Sequence, residues 1–260
     1  MRQPYIGITG FKTREQVEAV LAAHPAESEF LVMVGVLAND RSIRDEPVKN
    51  SKRYPAKDEL GKIFVKHPKA LNLIHFNTGR PSKLLDDMFY ALLLAGPDCQ
   101  GLQLNIPWPS KQVLRDFQKY CQSEYCKTIV LQCGKKALNE VGWSPRKLTE
   151  RLKAYKGLID YVLIDPSSGT GQEFDPYFVC ACFGAIGRAL PDIGLGIAGG
   201  LNAESLGRLL DPILGAFPGL GFSTDTETGV RDDQDDFVVP EAIRYLRQAN
   251  EILNRKKTMV

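Results

Sequence analysis

Segments that read as strands and segments that read as helices alternate eight times along this chain, and that regularity restricts the fold more than any motif does. Apolar runs at 5–8, 30–37, 71–76, 101–104, 128–131, 158–164, 194–198 and 219–222 predict strands. Helical segments are predicted between them. Thr13 is the expected N-cap of the first helix, with Val17, Val20 and Leu21 on one stripe. Further helices are expected over 56–66, from Pro81-Ser82, from Ser110, and over 176–190, 203–210 and 240–254, three of them with proline in the first turn. The runs 31–34 and 162–164 are apolar at every position, as parallel strands covered on both faces are. Eight βα units in 260 residues predict an α/β fold, a single (β/α)8 TIM barrel over residues 1–260. The runner-up is an open doubly wound sheet. It would carry G-x-G-x-x-G after the first strand, and Gly7-Ile8-Thr9-Gly10 does not match that pattern.

Composition narrows the function classes. The net charge is +2, and no basic run exceeds Arg255-Lys256-Lys257, so nucleic acid is not an expected partner. The chain has no apolar run long enough to span a bilayer, and its first residues lack the apolar stretch of a secretory signal. A cytoplasmic protein is expected. None of the six cysteines forms a CxxC pair, and none has histidines at zinc-ligand spacing, so free thiols in a reducing compartment are expected. Only His75 of the three histidines falls on a predicted strand, so no metal site is expected. No lysine lies inside a predicted strand, which disfavours Schiff-base chemistry.

In a (β/α)8 barrel the loops after the strands build the active site, and a phosphate commonly sits after strands seven and eight. Asp165 ends strand six, where a carboxylate would face the mouth and burial would raise its pKa toward that of a general acid. The plainer reading is an aspartate capping the next turn through Ser167 or Ser168. Gly199-Gly200 after strand seven would present bare N–H groups to an anion. Ser223-Thr224 after strand eight would add hydroxyl and N–H donors. The loop Ser167–Gly171, with Gly169 at its centre, is rich in donors and could fold over a ligand. The longest irregular stretch, 39–55, carries Arg41, Arg44, Lys49, Lys52 and Arg53 and reads either as a solvated surface loop or as a cationic lid.

These segments together resemble the phosphoribosylanthranilate isomerase family, (β/α)8 enzymes of tryptophan biosynthesis. Tyr5-Ile6-Gly7-Ile8-Thr9 is similar to the family's first-strand Lys-Ile-Cys-Gly-Ile-Thr. Ser51-Lys52-Arg53-Tyr54 resembles the segment that supplies an arginine to the anthranilate carboxylate, and Gln103-Leu104-Asn105 the fourth-strand Gln-Leu-His. Leu163-Ile164-Asp165 through Gly169-Thr170-Gly171 is similar to the sixth-strand aspartate and its glycine loop. Ala198-Gly199-Gly200-Leu201-Asn202 resembles the seventh-strand phosphate loop, and Ser223-Thr224, Glu227 and Gly229-Val230-Arg231-Asp232 the eighth.

The resemblance implies a phosphosugar ligand, held at its phosphate by Gly199, Gly200, Ser223 and Thr224 and elsewhere by Arg53 and Gly169. It implies no metal and no cofactor, and either a monomer or a homodimer. Asp165 would protonate the furanose ring oxygen. The family's base is the first-strand Cys, and Ile6 stands in its place here; Asn105 replaces the fourth-strand His. Three readings stay open. The chain is an isomerase or lyase on a phosphorylated sugar that uses another base, such as Cys133 or His75. It is a phosphoribosylanthranilate isomerase working on the acid alone. Or it is a non-catalytic phosphosugar-binding or sensing protein.

Overall fold

Eight parallel strands pair in chain order and close on themselves, β1 against β8, in a computed structural model that describes residues 2–121, 127–167 and 171–255. They are β1 (Tyr5–Thr9), β2 (Leu31–Asn39), β3 (Ala70–Asn77), β4 (Gly101–Leu104), β5 (Thr128–Gly134), β6 (Tyr161–Asp165), β7 (Gly194–Ala198) and β8 (Ser223–Thr226). The helices are α1 (Arg14–Ala22), α2 (Leu60–Ile63), α3 (Leu84–Ala95), α4 (Lys111–Cys121), α5 (Lys135–Glu140), α6 (Pro145–Lys153), α7 (Pro176–Ala189), α8 (Leu206–Ala216) and α9 (Val239–Arg255). The expected (β/α)8 barrel is therefore the fold observed. Thr13 caps α1 in a capping box with Gln16, and Asp175 caps α7 ahead of Pro176.

Two elements differ from expectation. The helix expected over 56–66 shrinks to a 3₁₀ turn, Lys57–Glu59, followed by α2, and the backbone is extended again at Phe64. Its Gly61 packs against the Leu94 carbonyl, 2.9 Å from where a Cβ would stand. The eighth strand, expected at 219–222, lies four residues later. Gly219 turns the chain at φ +80°, and the ladder to β7 is built by the polar residues Ser223, Thr224 and Asp225.

Alternation along the strands separates two interiors. Ile6, Ile8, Val32, Val34, Leu131, Cys133, Val162 and Ile164 face outward into the apolar layer under the helices. Tyr5, Met33, Leu71, Leu73, Val130, Tyr161 and Leu163 face the barrel axis and form a second apolar cluster toward its lower end. Further along the same inward faces the lining turns polar: Thr9, His75, Gln103, Gln132, Asp165 and Asp225, all buried. The lower end of the barrel is thus filled with hydrocarbon, and the upper end, where the strands finish, is lined with polar groups.

Candidate functional site

Asp165 is the last residue of β6 and is buried. Its Oδ1 accepts from Ser167 N at 3.1 Å and Ser167 Oγ at 2.7 Å, and its Oδ2 from Gln132 Nε2 at 2.6 Å. It therefore caps the following turn and faces the mouth at once, joining the two readings its position allowed. Asp225, on β8, occupies the same polar layer. Its Oδ1 accepts from Thr9 Oγ1 at 3.1 Å and its Oδ2 from Gln103 Nε2 at 2.8 Å. Gln103 Nε2 also reaches Gln132 Oε1 at 3.3 Å, so two glutamine side chains connect the two carboxylates. Burial pushes the Asp225 carboxyl up to about 7; the hydrogen bonds from Gln103 and Thr9 oppose that rise, and the nearby Glu227 and Asp165 add to it.

The space for Asp225 comes from Gly7. Gly7 pairs with Asp225 across the β1–β8 seam, and a Cβ on it would stand 2.8 Å from Asp225 Oδ1 and 2.9 Å from Met33 Cε. His75 lines the same cavity from β3. Its ring is buried, its Nδ1 has no hydrogen-bond partner among the described residues, and burial lowers its pKa against the pull of Glu227 and Asp165.

Above this layer is a cavity of about 170 Å³ whose far wall is the loops after β7 and β8. Gly199 and Gly200 stand there at φ +112° and +65°. A side chain at 200 would meet the Glu173 backbone at 2.6 Å, so the close approach and the dihedral both require glycine. Among the described residues no acceptor takes the N–H of Gly199, Gly200, Leu201, Thr228 or Gly229. The two loops are tied together by Thr226 Oγ1 donating to the Leu201 carbonyl at 2.6 Å. A ligand group within reach of Gly199 is also close to the Asp165 carboxyl, since its Oδ1 lies 3.5 Å from the Cβ position of residue 199. Among the described residues no lysine or arginine lines the cavity.

No protein-family model matches the chain, and no curated protein matches its sequence. Solved structures do match its shape. A phosphoribosylanthranilate isomerase from Thermus thermophilus superposes with a TM-score of 0.62 at 14% identity, over 95% of this chain and 99% of that one. A phosphoribosylanthranilate isomerase in complex with reduced 1-(o-carboxyphenylamino)-1-deoxyribulose 5-phosphate gives 0.61 at 17% identity, with the same coverage of both chains. Monomers generated from the dimeric enzyme of Thermotoga maritima give 0.60 at 16%, again over 95% and 99%. This chain has the fold of those isomerases.

Within that fold several expectations are corrected. Ser223 and Thr224 are not in a loop after β8; they begin the strand and lie fully buried below the mouth. Ser223 Oγ accepts from Tyr5 N at 3.1 Å at the lower end, so neither residue reaches the cavity. Arg53 is not a free cation. Its guanidinium binds Glu227 at 2.7 Å and Asp235 at 2.7 Å, and the Asp235 hydrogen bond leads in raising its pKa further. Other cations of the 39–55 stretch are similarly engaged: Arg44 with Asp87 at 2.6 Å, Lys52 with Asp236 at 3.4 Å, and Arg41 with Glu46 at 3.7 Å.

Cys133 faces outward beside Cys182, and burial pushes its thiol up to about 12, so it is no base for the mouth. Ile6 also faces outward; the inward position on β1 is Gly7. Gly169 lies outside the described residues. The residue the sequence reading missed is Asp225. Its signal, an inward carboxylate two positions after Ser223, emerges only once Ser-Thr-Asp-Thr is read as a strand.

Proposed function

We propose that this mouth binds a phosphorylated sugar and isomerises it by proton transfer, with Asp165 as general acid. The observation that carries the reading is that Gly199 and Gly200, whose N–H groups have no acceptor among the described residues, line one cavity together with Asp165. Backbone N–H groups converging on one spot suit a phosphate dianion without a cationic side chain. Thr228 and Gly229 line the same cavity from the β8 side. Asp165 gives its proton to the ring oxygen as the C1–O bond breaks, the bonding pair staying on that oxygen. The C1 hydroxyl loses its proton to water, leaving an open-chain aldehyde.

The other half of the substrate is not a carboxylate. Arg53, the arginine the resemblance assigns to anthranilate, is already neutralised by two carboxylates of its own chain. An aldose phosphate whose sugar half is uncharged fits this lining better than phosphoribosylanthranilate. A cytoplasmic setting fits free thiols at Cys99, Cys133 and Cys182 and the lack, among the described residues, of any helix long and apolar enough to cross a membrane.

Calorimetric titration with ribose 5-phosphate and with ribose tests the binding. Ribose 5-phosphate should bind at least 10-fold tighter, and Gly200→Val should remove the difference. Equal binding of the two sugars would refute the phosphate site. Conversion of ribose 5-phosphate to its ketose, followed by proton NMR, should disappear in Asp165→Asn. Binding without conversion would leave the phosphosugar-sensing reading in its place.

A further inference from the structure

The proton balance of such an isomerisation needs a base for C2, and the first strand offers none. Ile6 is an alkyl group buried under the helices, and Gly7, the inward residue, has no side chain. We propose that Asp225 is that base, its carboxylate filling the space that Gly7 leaves open on the barrel axis. The inference rests on the phosphosugar reading above and names a second catalytic group for it.

Three features of the geometry point to Asp225. First, it faces the cavity in the same layer as Asp165, two strands away, so a sugar carbon held between them meets one carboxyl from each side. Second, both of its oxygens are held, by Thr9 and Gln103, which fixes the carboxylate without a counter-cation to quench it. Third, Gln103 and Gln132 connect it to Asp165 by hydrogen bonds, so the two carboxyls keep their spacing as one unit. The ionisable groups facing Asp225 are Asp165 on β6, Glu227 beyond β8, Tyr5 on β1 and Tyr245 on α9. His75 shares the cavity from β3.

Burial brings Asp225 close to neutral pH, where a carboxylate is a stronger base than an exposed one and still substantially ionised. Burial moves His75 the other way. In the reaction Asp225 takes the proton from C2 of the open-chain aldehyde. The C–H pair becomes the C1–C2 double bond, and the carbonyl pair moves to O1, which takes a proton from water. The enediol then loses its O2 proton to water as C1 is protonated by the Asp225 carboxylic acid. Water returns to Asp165 the proton it gave to the ring oxygen, so the product is the ketose with both carboxyls restored and no redox change.

The test follows cleavage of the C2–H bond of ribose 5-phosphate in D2O by proton NMR, with binding followed in the same samples by ³¹P NMR. Asp225→Asn should slow cleavage by about 100-fold or more, the scale of general-base catalysis, and leave binding within about 3-fold. The wild-type rate should rise with pH through about 7. Gln103→Met removes a donor to the carboxylate, so that rising limb should move to higher pH. A merely structural glutamine would leave the limb in place. Wild-type cleavage rates in Asp225→Asn would overturn the assignment. So would a rate that falls with pH through 7, which would make Asp225 the proton donor. Loss of cleavage in His75→Asn but not in Asp225→Asn would transfer the role to His75. Ribose 5-phosphate bound but never cleaved by the wild type would also overturn it. No binding at all would remove the phosphosugar reading, and this inference with it.

Discussion

Asp165 and Asp225 occupy one layer of the barrel interior, yet their surroundings differ. Asp165 ends its strand, and the backbone and hydroxyl of Ser167 fold back onto it while Gln132 holds it from the side. Asp225 sits inside its strand, over a glycine, with one hydroxyl and one amide for donors. Desolvation therefore wins at Asp225 and brings its titration to about 7. Two inward carboxyls acquire different hydrogen-bonded settings because one strand stops at its carboxylate and the other continues past it.

The largest predicted effect tests that difference through stability. The folded protein holds the Asp225 proton more tightly than the unfolded chain does. Its stabilising contribution is thus complete below about pH 4 and is lost as pH rises to about 7. A rise of roughly three pH units corresponds to about 4 kcal/mol. Asp225→Asn should abolish this pH dependence and leave the protein more stable than wild type at pH 8 by up to that amount, measured by urea unfolding. The Thr9 hydroxyl can turn to accept from the new amide, so the substitution leaves no donor facing a donor. A wild-type stability flat between pH 4 and 7 would show Asp225 to be solvated after all.

Next in size is Gly200→Val, which forces a β-branched residue to φ +65° and onto the Glu173 backbone. It should cost about 2 kcal/mol or more by the same unfolding assay. Ile6→Cys should cost about 1–2 kcal/mol, the loss of a buried branched chain, and should not raise the isomerisation rate above that of the wild type, because the thiol faces the packing under the helices. A rate above that of the wild type in that variant would place residue 6 in the mouth and contradict the facing of β1. Smallest is Thr9→Val, which removes one donor from Asp225. It should cost about 1 kcal/mol at pH 8 and push the Asp225 titration, followed by carboxyl ¹³C NMR, above its wild-type position.

Much of this molecule is legible in its sequence because the outward face of nearly every strand is apolar, and eight such runs separated by helices permit few topologies. Asp165 and Gly199-Gly200 are visible for the same reason: each interrupts an apolar run at its carboxyl end. Asp225 is hidden because β8 is polar on its inward face, so the apolar run before it draws the strand four residues too early. The facing of β1 is hidden as well. Tyr5, Ile6 and Ile8 are all buried, so alternation leaves no hydrophobic contrast to show that Gly7 points inward. Arg53 looks free in the sequence because its partners, Glu227 and Asp235, lie 174 and 182 positions away. Charge pairing at that range is a property of the closed barrel.

The most direct measurement is a crystal structure of the protein soaked in ribose 5-phosphate. The phosphate oxygens should lie within about 3 Å of the Gly199 and Gly200 nitrogens, with the sugar ring between the carboxyls of Asp165 and Asp225. A phosphate bound away from those glycines, or a sugar that touches neither carboxyl, would contradict that placement.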